Sequence, residues 1–269
     1  MIGFDLFTDH IVEINYSRSR IYFYSPAQFR APEKYSVMPM IVERQKMFLQ
    51  LSVLETDATK RNIKMLIDTG AELTAWFQTL RPDAINIPEK SMRASIGHGL
   101  NGEIKGLLAR VPQLCIANFC VKNPIVAFPD SSDIAPAIEN TDRDGTIGAR
   151  MLWRFNTIYD VPNQKFYFKP NARLNAPFKY NIAGIEIVQT NQMFRQYEIV
   201  NVWDASPAHV AGLKSGDIIE EINFVKLFDK DIETVRAFFE STSISNMKIT
   251  VQRDNQKLYF EIDMQKRIL

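Results

Sequence analysis

The sequence of 269 residues lacks an apolar run long enough to cross a membrane, because charged residues interrupt every hydrophobic stretch. It also lacks an excess of either charge, since 32 basic and 31 acidic residues are interspersed along the chain and give a formal net charge of +1. Such a mixture offers no electrostatic footprint for nucleic acid or acidic lipid. We therefore expect no nucleic-acid partner and no membrane span.

The chain has three histidines, and the sequence around them supports neither a metal site nor serine-histidine catalysis. His10 and His209 stand alone, without the spacing of metal ligands. No Gly-x-Ser-x-Gly segment is present, so a serine nucleophile on that type of turn is not supported. We expect neither a metal nor a cofactor.

The chain contains two cysteines, too few for a four-cysteine zinc site or a disulfide framework. A two-residue turn at Ala117 and Asn118 would place Cys115 opposite Cys120 in a hairpin. Two cysteines opposite each other in a hairpin are close enough to form a disulfide in an oxidising compartment. A bridge and a pair of buried thiols both remain open.

Short strand patterns dominate the sequence, so we predict a mainly β protein. The clearest patterns are residues 11–14, 20–24, 48–53 and 165–168. Helical spacing appears mainly near the C-terminus, where residues 232–239 place hydrophobic side chains on one face behind Asp231 as the N-cap. A polar segment bounded by prolines, residues 169–177, predicts a domain boundary near residue 175.

An internal repeat relates the beginning of the chain to its middle. Residues 2–7 align with residues 147–152, a shift of 145 (147 − 2 = 145), and the same shift aligns residues 20–23 with 165–168. We interpret the two segments as the closing elements of two similar lobes, so that residues 1–35 would be the C-terminal remnant of a preceding lobe. The alternative is that two short hairpins of similar composition arose independently.

The segment most suggestive of chemistry is an apolar strand followed by Asp68, Thr69, Gly70 and Ala71. A carboxylate directly after a buried strand must be paired, hydrogen-bonded or used chemically, because desolvating an unpaired charge is costly. A structural alternative is an acid at a strand end that caps a turn.

Residues 37–170 resemble the retropepsin-like (retroviral-type) aspartic peptidases, whose signature is an apolar pair followed by Asp-Thr-Gly-Ala. Two further segments occur in the family's order: a glycine-rich hairpin at residues 95–105, similar to the substrate-covering flap, and a hydrophobic-glycine segment at residues 145–152. The resemblance implies an acid-protease-like closed β-barrel lobe over residues 36–172. Residues 1–35 would then belong to a preceding protease-like lobe.

The resemblance also implies individual roles. Asp68 would supply one of two carboxylates that activate a water, Thr69 would hydrogen-bond across a lobe interface, and Gly70 would allow close backbone approach. Substrate-binding residues of the flap would be Ile96, Gly97, His98 and Gly99. His98 could equally be an exposed loop residue.

The sequence contains no second Asp-Thr-Gly or Asp-Ser-Gly, so the chain holds half of a dyad. A homodimer or an upstream lobe would have to supply the other aspartate. A fold that has kept its shape and lost catalysis is the third reading.

Residues 178–269 resemble a PDZ domain of the bacterial, protease-associated type, an α+β fold with a partly open β barrel. The most specific stretch is residues 206–219, which combines a turn, a short helix and a Gly-Asp turn into a strand. The resemblance implies that a peptide adds as a strand to the chain beside residues 185–188, with residues 232–239 as the facing helix. Its peptide-binding residues would be Ala183, Gly184, Ile185, Glu186 and Ile187.

The ligand could be a peptide carboxyl terminus, held by backbone N–H groups around Ala183 and Gly184, or an internal strand. Two departures weaken the match: Asn223-Phe224 replaces the usual Asn-Gly turn, and Ala183 stands where glycine is frequent. A PDZ module used for intramolecular docking or dimerisation is the alternative.

Together these resemblances predict an aspartic endopeptidase that cleaves polypeptides and recognises peptides through the PDZ domain. The alternative is a catalytically inactive peptide-binding or scaffold protein. A secretory leader is not apparent at the N-terminus, and the compartment is open; analogy with other PDZ-bearing proteases suggests the bacterial cell envelope or periplasm.

Overall fold

The computed structural model describes residues 4–99, 102–139, 141–191 and 195–265. It is mainly β, with 46% strand and 12% helix, as the sequence predicts. The chain divides into two units: Met1–Ser91 with Ile96–Phe178, and Lys179–Leu269 with Met92–Ser95. None of the helices in the described ranges has the length and apolarity to cross a bilayer.

Among the described residues up to residue 170 there are fifteen strands and three short helices. The strands are β1 Ile11–Asn15, β2 Arg20–Tyr24, β3 Ser36–Pro39, β4 Ile41–Glu43, β5 Lys46–Leu54, β6 Lys60–Ile67, β7 Ala75–Phe77, β8 Ser91–Gly99, β9 Gly102–Arg110, β10 Gln113–Ile116, β11 Phe119–Lys122, β12 Ile125–Pro129, β13 Gly145–Ile147, β14 Phe155–Asp160 and β15 Lys165–Pro170. The helices are α1 Asp5–Asp9, α2 Ser131–Ile138 and α3 Ala149–Leu152.

The later elements are β16 Ile185–Asn191, β17 Gln196–Val202, α4 Pro207–Ala211, β18 Ile218–Ile222, β19 Val225–Lys226, α5 Ile232–Phe239, β20 Asn246–Arg253 and β21 Gln256–Asp263.

A five-stranded sheet joins the two segments of the sequence repeat, in the order β2-β1-β14-β15-β3. The N-terminal hairpin, β1 with β2, and the later hairpin, β14 with β15, lie side by side through antiparallel pairing of β1 with β14. The repeated segments are therefore neighbours in one sheet. The identification of residues 1–35 as the remnant of another lobe stays a prediction.

A larger sheet of ten strands curls into a half-barrel, in the order β11-β10-β5-β6-β13-β7-β12-β9-β8, with β4 on β5. Alternation of buried positions along β5 and β6 places Leu49, Leu51, Val53, Ile63 and Met65 in the core. This is the burial expected of strands that cover a core with one face.

Strand β13 lies between β6 and β7, parallel to the first and antiparallel to the second. Two glycines at its limits permit this close insertion. A Cβ on Gly145 would lie 1.9 Å from the Trp76 carbonyl oxygen, and one on Gly148 would lie 2.2 Å from that of Leu73. The connection from β6 to β7, which carries Asp68, consequently crosses the end of β13.

The two cysteines face each other across the β10–β11 hairpin and form a disulfide. The intervening turn consists of Ala117 and Asn118, as predicted, with Ala117 in the left-handed region at φ 50°. The sequence left a disulfide and a pair of buried thiols open, and the structure has the disulfide.

The second unit is a sheet in the order β16-β17-β18-β20-β21, with β19 on β18. The predicted helix is α5, and its N-cap is Asp231, whose carboxylate accepts the Thr234 N–H at 2.7 Å. Asn223 and Phe224 both adopt left-handed φ values, 49° and 66°, so this turn forms without glycine. The sheet leaves β16 and β21 as its terminal strands.

Candidate functional site

The Asp68 loop is a capped turn at the surface of the first unit. The Asp68 Oδ1 atom accepts the N–H groups of Gly70 at 2.9 Å and Ala71 at 3.1 Å, and its own N–H donates to the Ile147 carbonyl at 3.0 Å. Asp68, Thr69 and Gly70 are all exposed. The geometry matches the structural alternative of an acid that caps a turn.

Arg143 is a buried cation in the same unit as Asp68. Arg143 is 4% exposed and lies over the Trp76 ring, 5.1 Å from its centroid. Burial lowers the pKa of Arg143 to about 10, against the opposing effect of the Asp68 carboxylate. Within the described ranges, no hydrogen bond or ion pair joins Asp68 to a second carboxylate.

The glycine-rich hairpin is formed by β8 and β9, which are neighbours in the large sheet. Ile96 and Gly97 are half-buried, and a Cβ on Gly97 would meet nothing within 4 Å. The side chain of His98 and the residues of the turn, 100 and 101, lie outside the described residues. A substrate-covering role for Ile96, Gly97, His98 and Gly99 stays a prediction.

A cavity of about 510 Å³ lies next to Arg143 in the same unit. Gln78 Nε2 and the Nε and Nη1 atoms of Arg143 are buried without a hydrogen-bond partner among the described residues. The other lining residues are Leu80, Arg81, Ala135, Pro136, Ile138, Glu139 and Thr141. Groups of acidic, histidine or cysteine side chains that could hold a metal do not occur in the part of the chain that the structure describes.

In the second unit, the five predicted peptide-binding residues do lie together, in the loop that enters β16 and in the first half of that strand. Ala183, Gly184, Ile185 and Ile187 are buried, and Glu186 is half-buried. Gly184 adopts φ +73°, and a Cβ there would lie 2.3 Å from the Ser206 Cβ, so glycine is required for both reasons. The loop conformation is therefore tightly constrained.

The free edge of β16 can be read from the bonds of its backbone. The Gly184 carbonyl accepts the Trp203 N–H and so points towards β17, whereas the N–H and C=O of Ile185 bond the Asn181 side chain on the other side. Backbone groups alternate in direction along a strand. The N–H and C=O groups of Ile187 and Gln189, like those of Ile185, therefore point away from β17, towards the edge of β16 that carries no strand in the described sheet.

The opposite strand supports this direction. Ile199 is the partner of Ile187 in the ladder, and its N–H and C=O bond Asp217 and Gly216 on the side away from β16. Ile187 and Ile199 are therefore a non-hydrogen-bonded pair. The backbone of Ile187 is left to bond a further strand.

Helix α5 packs against β16. Its Val235 and Phe239 are buried, and the Phe239 carbonyl accepts the N–H groups of Ile182 at 2.8 Å and Ala183 at 3.3 Å. Sequence reasoning did not include Asn181, which bonds the same loop through its side chain. The available signal was an asparagine shortly before a glycine, since asparagine side chains often hydrogen-bond the nearby backbone in turns.

Neither a protein-family profile nor a curated protein matches this sequence. Among solved structures, the PDZ domain of EpsC from Vibrio cholerae is similar, with 21% identity over 32% of this chain and 99% of that chain and a TM-score of 0.27. An HtrA-type protease, AlgW with a serine-to-alanine substitution and a decapeptide, is similar over 80% of this chain and 58% of that chain, with 10% identity and a TM-score of 0.30. At these scores neither similarity assigns an activity to this chain.

The prediction of an aspartic endopeptidase is wrong. A solved structure that is similar over 80% of this chain is an HtrA-type protease and not an aspartic peptidase, and the retropepsin-like resemblance finds no support. Around Asp68 the structure shows a capped turn, in which Oδ1 accepts the N–H groups of Gly70 and Ala71. The individual roles assigned to Asp68, Thr69 and Gly70 stay untested predictions.

Proposed function

We propose that the C-terminal unit binds extended polypeptide segments, which add as a further strand to the open edge of β16. The observation that carries this proposal is the direction of the Ile187 backbone, whose N–H and C=O face away from β17. Strand addition obtains its affinity from such main-chain hydrogen bonds. The backbone of Gln189 extends the same row of donors and acceptors.

The side chains of β16 are held in place by the rest of the unit, which favours peptide binding at its edge. The carboxylate of Glu186 accepts the indole N–H of Trp203. It also accepts the side-chain amide N–H of Asn201, with a donor–acceptor distance of 3.4 Å. The buried side chains of Ile185 and Ile187 hold the strand onto the core. The edge is thus preorganised, and a peptide would lose little affinity to ordering of the protein.

The first test is amide hydrogen exchange in the full chain, before and after addition of acetylated random decapeptides. The amides of Ile187 and Gln189 should gain protection, because they would donate to the added strand. Strand β21 provides an internal control, since it is also a terminal strand of this sheet. Equal protection of both edges, or of neither, would contradict the proposal.

A variant pair tests the hydrogen bonds themselves. Gln189→Pro removes one N–H that faces the edge and no ladder bond to β17, whereas Gln189→Ala keeps that N–H. We expect the proline variant to bind the peptides about fivefold more weakly, the effect of about 1 kcal/mol for one lost hydrogen bond. The alanine variant should bind like the parent chain, and thermal unfolding of both variants checks that the sheet is intact.

A further inference from the structure

The side chain of Asn181 occupies the loop before β16. Its Oδ1 atom accepts the N–H groups of Gly184 at 2.9 Å and Ile185 at 3.3 Å, and its Nδ2 atom donates to the Ile185 carbonyl at 2.7 Å. The two preceding N–H groups, those of Ile182 and Ala183, already bond the Phe239 carbonyl. All four successive N–H groups of the loop therefore have acceptors from the chain itself.

These contacts are the ones that the end of a bound peptide would need. A terminal carboxylate is captured by successive backbone N–H groups, and the last peptide N–H bonds a carbonyl of the receiving strand. The carboxamide oxygen of Asn181 accepts the backbone N–H groups that a terminal carboxylate would use, and its Nδ2 donates to the carbonyl that the last peptide N–H would use. It reproduces the hydrogen-bonding pattern of a peptide carboxyl terminus in one side chain.

The loop has little freedom to offer the carboxylate another position. Gly184 is held in its left-handed conformation against Ser206, and the Ala183 carbonyl accepts the Ala208 N–H at 3.0 Å. An incoming carboxylate would have to displace Asn181 from three hydrogen bonds. Beyond this point, at Ile187 and Gln189, β17 is the only strand of the described residues that pairs with β16.

We propose that Asn181 determines ligand class by excluding peptide carboxyl termini, so that the β16 edge takes internal segments of extended polypeptides. This inference rests on the proposed function of that edge and specifies its ligand. It replaces the expectation that Ala183 and Gly184 hold a terminal carboxylate with a block formed by the side chain of Asn181 in the same loop.

The test uses two libraries of acetylated random decapeptides, one with free carboxylate ends and one with carboxamide ends. Both are passed over the immobilised full chain, and the retained peptides are quantified by mass spectrometry. The parent chain should retain the two forms within about twofold of each other, because the end of the peptide would make no charge-assisted hydrogen bond. Asn181→Ala should retain carboxylate forms about tenfold better than carboxamides, the factor for one such bond gained.

Two further variants sharpen the comparison. Asn181→Asp keeps the acceptor and adds a negative charge, so it should still exclude carboxylates. Asn175→Ala removes an exposed asparagine outside the loop and should behave like the parent chain. The parent measurement does not depend on the folding of any variant.

The outcomes separate the two proposals. A parent chain that retains carboxylates about tenfold better than carboxamides would overturn the role of Asn181 and leave strand addition standing. Retention of neither library by the parent chain would overturn the strand-addition function, and with it this inference.

Discussion

Glu13 in β1 lies opposite Ile158 in β14, and the two positions are separated by the shift of the sequence repeat (158 − 13 = 145). The flanking pairs, Val12 with Tyr159 and Ile14 with Thr157, are arranged symmetrically about them. The two repeated hairpins are thus related by a local two-fold axis at this pair. The two similar segments of the sequence thus meet in a symmetrical antiparallel contact.

Glu13 also collects three hydrogen bonds, so its removal should be costly. Its carboxylate accepts the hydroxyls of Tyr24 at 2.7 Å and Tyr35 at 3.2 Å and the amide of Asn15 at 3.1 Å. Glu13→Ala should lower the free energy of unfolding by about 2 kcal/mol, because these donors lose their acceptor. Glu13→Gln keeps an acceptor and should lose less in the same denaturant titration.

The same pair of variants should change a tyrosine titration. Burial first, and then the Glu13 carboxylate, raise the pKa of Tyr24 to about 12. Glu13→Gln removes the negative charge and should shift that ionisation to lower pH, as followed by ultraviolet absorbance. An unchanged titration would mean that Glu13 does not face Tyr24.

The disulfide should make a modest contribution to stability. Cys115 and Cys120 are five residues apart, and closing so short a loop stabilises by about 2 kcal/mol in the chain-entropy account. Cys115→Ser with Cys120→Ser should reduce the free energy of unfolding by that amount, and reduced parent protein should match the variant. Alkylation under denaturing, non-reducing conditions should find no free thiol.

Gly148 should tolerate no side chain. A Cβ there would lie 2.2 Å from the Leu73 carbonyl oxygen and 2.7 Å from that of Ala71, both backbone atoms. Gly148→Ala should therefore lower the free energy of unfolding by about 3 kcal/mol, since β13 or the Asp68 loop must shift. Gly97→Ala is the matched control, because its Cβ would meet no atom within 4 Å; a comparable loss there would refute the steric explanation.

Acid should weaken α5 through its N-cap. The Thr234 N–H lowers the pKa of Asp231 from its ordinary 3.8 in the folded chain. The stabilisation is therefore fully present above pH 3.8 and is lost as the pH falls through the lowered pKa. The protection factors of α5 amides, which correct for the pH dependence of intrinsic exchange, should fall over this range in the parent chain and change less in Asp231→Asn, which keeps a neutral acceptor.

The sequence by itself determined those features that depend on neighbours a few residues away. Strand alternation, the Asp231 cap and the turn between Cys115 and Cys120 were all predicted, because each depends on side chains within one turn or hairpin. The aspartic peptidase prediction failed for the complementary reason. A local Asp-Thr-Gly motif does not specify which distant groups the fold places around Asp68.

Only the tertiary structure decided the character of the peptide edge. Asn181 bonds residues three and four positions away, yet its significance arises because Phe239, more than fifty residues later, holds the two preceding N–H groups (239 − 183 = 56). The direction of the Ile187 backbone likewise follows from pairing with β17 and from the bonds of Ile199. Hydrogen bonds between distant segments leave no periodicity in the sequence. They determine here that the backbone of Ile187 points away from β17 and that Asn181 and Phe239 accept the N–H groups of the loop before β16.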